Sequence, residues 1–478
     1  MGKTPLKKFA AFAAKLFPHE LAYLKRIEQF ADVENKAILE RLLLNASSAE
    51  CKQAYDLSID KRKYSKIKGW IEKQLATINV DRELRNIQDT EYKILTDDIS
   101  PEVEGYILDQ MKKYRSRDFH FIRFYELVDR YRQYLLVRMR YRAHDATLKF
   151  IDQHRVEYQK AKRINRDLYQ VTHDIVEQYR TGKRESKQWE PLLKSYFLDD
   201  DLDGLNRYTA LVRLTFIHIN YRDFEELFPL YQHLDELLKE GKFYSRNILA
   251  NYYSNRVIIH SKREEWNLAE NYGYLSITHI NKDYLQYVNT LTGILLRKKK
   301  YPKALQLMQK SLPRLKESNS SHNRSGFASF YIHTLQLNQR PKQAKKYAES
   351  FLRLYRKEIF EHRWHTFFSF YLKALISLKN WEQLLIVFDN YDLLELDKKY
   401  QQKANYLPTL PWFHFLASFK LGHLDKEHFL NQLYQSCGEY LSSSAKRNHI
   451  NSLCQELQSF APAVFSQFSH TYLQPNTQ

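Results

Sequence analysis

Residues 284–315 read YLQYVNTLTGILLRKKKYPKALQLMQKSLPRL. Val288, Leu291 and Leu295 recur at helical spacing, with the small pair Thr292-Gly293 among them. The basic run Arg297-Lys298-Lys299-Lys300 interrupts that stripe, and Tyr301-Pro302-Lys303-Ala304 restarts it. Leu305, Met308 and Leu312 carry the second stripe. The stretch therefore predicts two helices joined by a short basic turn.

The same beat extends outward from this unit. A bulky residue is followed three positions later by Ala or Leu at Phe224/Leu227, Trp266/Ala269, Tyr301/Ala304, Pro341/Ala344 and Trp381/Leu384. The first members lie 42, 35, 40 and 40 residues apart. A period of that size marks stacked helix pairs. The unit at 284–315 resembles a tetratricopeptide repeat, a family with small residues where paired helices cross and aromatics in the remaining space. Leu291, Leu295, Tyr301, Ala304 and Met308 match in kind, whereas Thr292 stands where the family prefers glycine and Ser311 where it prefers alanine. The Trp266 unit departs further, with Arg256 and His260 at expected apolar sites. The Pro341 unit keeps Leu335, Ala344 and Ala348, and in the Trp381 unit Leu384 replaces the small residue. The resemblance covers roughly residues 205–435. It implies an all-α fold, an extended right-handed α-solenoid of antiparallel helix pairs, and a groove that binds a partner.

Composition agrees with helices. The 478-residue chain holds only 11 Gly and 12 Pro, too few for the positive-φ turns of an all-β fold or for most phosphate-cradling loops. Aromatics reach 14 %, including 35 Tyr; a Tyr ring fills the space between helices while its hydroxyl finds water at the edge. A formal charge of +19 favours acidic partners. Three cysteines, Cys51, Cys437 and Cys454, show no metal-binding spacing and suit a reducing, cytoplasmic setting. A Cys437–Cys454 disulfide is the alternative to free thiols. No run of about 18 apolar residues predicts a membrane span. Lys15 breaks the apolar stretch after Lys7-Lys8, which argues against a secretory leader. Leu6 stands where a myristoylation signal wants Ser or Thr. The Lys7–Leu16 segment is expected to pack its Phe face onto the next helices.

Punctuation divides the chain into three expected regions. Thr96–Glu102 is the first boundary, with Ser100-Pro101 opening a helix. Gly182 is an expected helix terminator. The acidic turn Asp199–Gly204 is the second boundary. The regions are a helical cap at 1–99, a basic helical region at 100–204, and repeats with capping helices at 205–478.

The densest basic tract, Lys112–Lys187, has 20 Lys and Arg against 10 Asp and Glu. Arg130, Arg132, Arg138, Arg140 and Arg142 interleave there with tyrosines. Arginines neutralise phosphates and tyrosines stack on unpaired bases. A solvated helix whose arginine stems cover neighbouring rings is the plainer reading. An acidic protein partner comes next, and nucleic acid is a further alternative, unaccompanied by any known binding motif.

Asp199, Asp201, Asp203 and Gly204 have calcium-loop spacing, but Ala210 occupies the position of the required bidentate Glu. Glu358, His362 and His365 share a helix face with no second cluster to complete a metal shell. G-x-S-x-G, P-loop and G-x-G-x-x-G patterns are all missing. The sequence thus predicts a noncatalytic scaffold or adaptor without cofactor or metal. Its partner is a protein or peptide with an acidic surface, held in a groove lined by Asn251, Tyr252, Asn255, Tyr287, Asn289 and Tyr331. The runner-up is a nucleic-acid-binding helical protein that uses the Arg/Tyr tract.

Overall fold

The computed structural model describes residues 6–47, 53–181, 186–221, 224–401, 406–437 and 444–473. Met1, Gly2, Cys51 and Gly182 lie outside them. Among the described residues every regular element is helical, as the scarcity of glycine and the abundance of unbranched side chains predict. The chain forms two compact units, Met1–His279 and Ile280–Gln478.

The first unit opens with α1 (Lys7–Ala13), α2 (Pro18–Ile27), α3 (Val33–Ser47), α4 (Lys61–Thr77) and α5 (Val80–Leu95). There follow α6 (Pro101–Lys113), α7 (Phe121–Val137), α8 (Tyr141–Gln153), α9 (Arg155–Thr181) and α10 (Glu190–Leu198). It closes with α11 (Gly204–Tyr221), α12 (Leu227–Lys239), α13 (Arg246–Lys262) and α14 (Trp266–Ser276). In the second unit α15 (Tyr284–Arg297), α17 (Ser321–Leu337), α19 (Trp364–Ser377) and α22 (Thr409–Lys420) are first helices of hairpins. Their partners are α16 (Tyr301–Ser311), α18 (Pro341–His362), α20 (Trp381–Asn390) and α23 (Lys426–Cys437). The short α21 (Leu393–Tyr400) follows α20, and α24 (Ser444–Gln458) and α25 (Pro462–Phe468) end the unit.

The beat in the sequence has a backbone cause. Lys299 takes φ 57 after α15. Its N–H donates to the Leu296 carbonyl at 2.9 Å, and the Lys300 N–H donates to Leu295 at 2.8 Å. This is a Schellman turn, which satisfies carbonyls that the helix end leaves open. Glu264, Gln339 and Lys379 repeat it with φ of 61, 58 and 54. Each lies two residues before the bulky member of a pair, Trp266, Pro341 or Trp381. Gly422 (φ 76) closes the α22–α23 turn in the same way. The small third residue then meets the partner helix: Ala269, Ala304 and Ala344 are fully buried. Asp97 and Met139 form the same turn between α5 and α6 and between α7 and α8, and α7 packs on α8, so a hairpin also occurs in the half of the chain where no period is legible.

In the second unit each first helix packs on its own partner and on the next first helix: α15 on α16 and α17, α17 on α18 and α19, α19 on α20 and α22. Nearest-neighbour packing of this kind is compatible with a helical repeat. The first unit departs from it, because α2 packs on α12 as well as on α3 and α4. Glu20 is wholly buried there. It accepts from Tyr244 Oη at 2.6 Å, Arg246 Nε at 2.8 Å and the Phe17 N–H at 2.9 Å. A linear stack has no contacts between residues so far apart in sequence. The Phe face of α1 does pack inward, with Phe9 edge-on to Tyr64 at 4.9 Å.

Candidate interaction sites

Burial takes four of the six groove residues out of a partner's reach. Tyr252, Tyr287, Asn289 and Tyr331 are all buried. A first helix is covered on one side by its own partner and on another by the next first helix, so little of its circumference stays open. Tyr252 serves as an internal donor, with Oη 2.5 Å from Asp235 Oδ1. Asn289 faces Gly326, where a Cβ would lie 3.2 Å from its amide nitrogen. Tyr331 packs edge-on to Tyr347 at 4.8 Å. Asn251 and Asn255 are half-buried and bonded to each other at 3.1 Å.

Four of the five arginines that interleave with tyrosines are in ion pairs. Arg130 pairs with Glu91 at 2.7 Å and Arg132 with Asp129 at 2.6 Å. Arg138 pairs with Asp97 and lies 3.9 Å over the Tyr134 ring. Arg140 pairs with Glu104. Arg142 alone of the five is exposed and outside an ion pair.

The acidic turn sends its carboxylates to separate partners. Asp199 pairs with Lys160 at 2.8 Å and Asp200 with Arg207 at 2.7 Å. Asp203 caps α11, accepting the Asn206 N–H at 3.0 Å, and burial pushes its carboxyl up to about 7. Glu358 holds Arg324, His362 meets Ser321 at 2.7 Å, and His365 lies 3.4 Å from Asp397. No three His, Cys, Asp or Glu side chains converge as metal ligands among the described residues. Cys437 and Cys454 are free, buried thiols rather than a disulfide. Burial pushes them up to about 12 and about 11.

A cleft in the first unit escapes the sequence altogether. Its volume is about 1080 Å³, and it lies among the α4–α5 turn, α5, α6, the α6–α7 loop and Gly241–Phe243. Aromatic packing shapes its walls. Tyr114 stacks on Phe124 at 4.0 Å, and Phe119 meets Phe243 edge-on at 5.4 Å. Tyr114 Oη donates to Glu83. Burial pushes the Glu83 carboxyl up, against the lowering effect of that bond, and it pushes Asp118 up as well. Buried Arg207 is held by the Phe197 carbonyl at 2.9 Å and by Asp200. At the rim, Lys73, Arg82, Lys113 and Arg117 are exposed, and none forms an ion pair among the described residues. Only Lys113 and Arg117 fall in the basic tract. The other two come from α4 and α5, so the cluster exists only once three helices meet. The cleft offers free positive charge around an aromatic and polar interior.

No helix among the described residues is long and apolar enough to cross a membrane. No protein-family model matches the chain, and no curated protein matches it either.

Proposed function

We propose that this chain is a noncatalytic interaction scaffold that holds an acidic segment of a partner protein in the cleft between α4, α5 and α6. One observation carries the reading: four unpaired cations, Lys73, Arg82, Lys113 and Arg117, surround a cleft of about 1080 Å³. The volume sits at the upper end of ligand sites, about 300 to 1,000 Å³, and a rim with four cations suits a ligand that carries several negative charges. Free rim charges steer an acidic partner and fix its register. The hairpins of the second unit belong to this reading as a tetratricopeptide-like solenoid, supported by their recurring turns and neighbour-to-neighbour packing. A cytoplasmic setting also belongs to it, supported by the free thiols at Cys437 and Cys454. The nucleic-acid alternative loses support because four of its five arginines already hold carboxylates.

The test is fluorescence anisotropy with a labelled twelve-residue peptide that alternates Glu and Leu. The comparison is a single-stranded oligonucleotide of equal charge. The peptide should bind the native chain and lose about tenfold in affinity, or about 1.4 kcal/mol, in the Arg82→Glu/Arg117→Glu variant. Added salt should weaken it. Tighter binding of the oligonucleotide, unaffected by the two reversals, would overturn the reading.

A further inference from the structure

A second surface, separate from the cleft, lies where the α5–α6 and α7–α8 turns meet. The sequence there is Leu136-Val137-Arg138-Met139-Arg140-Tyr141-Arg142. Two of its arginines fold back onto Asp97 and Glu104, and an apolar set faces water beside the arginines. Val137 is 77 % exposed, Met139 71 %, Tyr141 62 % and Leu136 55 %. On the adjoining end of α5, Tyr92 is 67 % and Leu95 64 % exposed. A single exposed apolar residue calls for no explanation, but six at one end of a helix group do.

We propose that this apolar tip is a self-association surface on which a second copy of the chain docks through the same residues. Three observations select that occupant. The first is size: the six residues expose on the order of 800 Å², close to what a standard interface buries on each partner. The second is rigidity. Arg138–Asp97, Arg140–Glu104 and Arg130–Glu91 tie α7 and the start of α8 to α5 and α6, so little ordering remains to be done on docking. The third is charge. Outside ion pairs the tip keeps two cations, Arg142 and the half-buried Lys93 of α5, and the adjoining turn keeps the exposed carboxylates Asp98 and Glu102. A nucleic acid or an anionic bilayer gains from free cations and is repelled by those acids. A two-fold contact places the same patch on both sides of the interface, so Arg142 of one copy can meet Asp98 or Glu102 of the other. Such a contact closes on itself and stops at the dimer. The chain's +19 charge opposes association at long range, but salt screens it beyond about 8 Å at physiological strength. Salt screens the Arg142 ion pairs as well as this repulsion, so the dimer, resting on its apolar contact, should change little as salt rises, unlike binding to an oligonucleotide.

The experiment is sedimentation equilibrium on the full chain at two salt concentrations, from low to high micromolar protein. The native chain should be a dimer at the upper end, because assembly is concentration-dependent. Val137→Asp/Met139→Asp should be monomeric at every concentration tested. Asp tolerates the left-handed backbone at 139 better than most residues do, and an unchanged circular-dichroism melt will show that the variant folds. Arg142→Glu should weaken the dimer, and adding Asp98→Arg and Glu102→Arg to the same chain should restore it. A native chain that stays monomeric throughout, or a dimer that survives Val137→Asp/Met139→Asp, overturns the proposal. Tip-dependent capture of anionic vesicles by a monomeric chain overturns it in favour of a membrane.

Discussion

His19 Nε2 lies 2.8 Å from Asp235 Oδ1, and His19 Nδ1 lies 2.7 Å from Tyr253 Oη. One buried imidazole thus joins α2 to α12 and α13. Asp235 also accepts from Tyr252 Oη and pairs with Lys239 Nζ, each at 2.5 Å. Burial alone would raise the Asp235 carboxyl. The bonds from His19, Lys239 and Tyr252 outweigh it and hold the group well below the usual carboxylate range.

His19→Ala should destabilise the first unit by about 2–4 kcal/mol, because it removes one partner of a buried network and leaves the others unsatisfied. The sign of the pH effect follows from the lowered Asp235 carboxyl. Its contribution is complete above the unfolded value near pH 4 and is lost as pH falls below that. Urea unfolding at pH 7 and pH 3 checks both points. A variant with native stability at pH 7 would show the network to be dispensable.

Lys379→Gly should stabilise the second unit by about 0.5–1 kcal/mol. Lys379 holds φ 54 in its Schellman turn, which costs a residue with a Cβ about 1–2 kcal/mol. Glycine removes that strain and returns part of the gain through a looser unfolded chain. The midpoint of urea unfolding reads the change. A lowered midpoint would mean that the lysine side chain contributes more than its backbone costs.

Gly241→Ala should destabilise by about 2–4 kcal/mol. Gly241 has φ +79, and a Cβ there would lie 2.6 Å from the Tyr23 ring. Gly69 in α4 has nothing within 4 Å of its would-be Cβ. Gly69→Ala is therefore the control and should stabilise by about 0.5–1 kcal/mol through helix propensity. Equal effects of the two substitutions in thermal melts would contradict the packing at the α12–α13 turn.

The cleft should take up its acidic probe more tightly in mild acid. Burial raises the Glu83 and Asp118 carboxyls above their ordinary values, so each takes up its proton at a higher pH than the same group would in water. Each proton removes a negative charge from the cleft. Raised carboxyls penalise folding above their unfolded values, and protonating them as pH falls relieves that penalty. Between pH 7 and pH 5 the affinity should rise, with Glu83→Gln showing a smaller rise. Anisotropy at the two pH values decides it, and weaker binding at pH 5 would sink the assignment.

The all-α fold was legible in the sequence because the second helices of three hairpins announce themselves with Trp266, Tyr301 or Pro341 and then Ala. The turns themselves were not legible. Glu264, Lys299, Gln339 and Lys379 adopt a conformation usually marked by glycine, and residues of that kind give no warning in a sequence. The groove assignment at Tyr252, Tyr287, Asn289 and Tyr331 failed to foresee burial, because periodicity gives a helix an apolar face but does not say how many neighbours it has. Arg138 and Arg140 read as free charge because their acids, Asp97 and Glu104, lie about forty residues away. The cleft stayed hidden for the same reason: Lys73, Arg82, Lys113 and Arg117 become neighbours only through the packing of α4, α5 and α6.

The clasp of Glu20 by Tyr244 and Arg246 has a kinetic consequence. When the ribosome has made α2, the residues that complete its environment do not yet exist. At about 5–20 residues per second, the α12–α13 segment follows roughly 11–45 s later. Until then the part of α2 that will meet α12 stays open to water and the Glu20 carboxylate stays hydrated, so this contact closes later than those of α2 with α3 and α4.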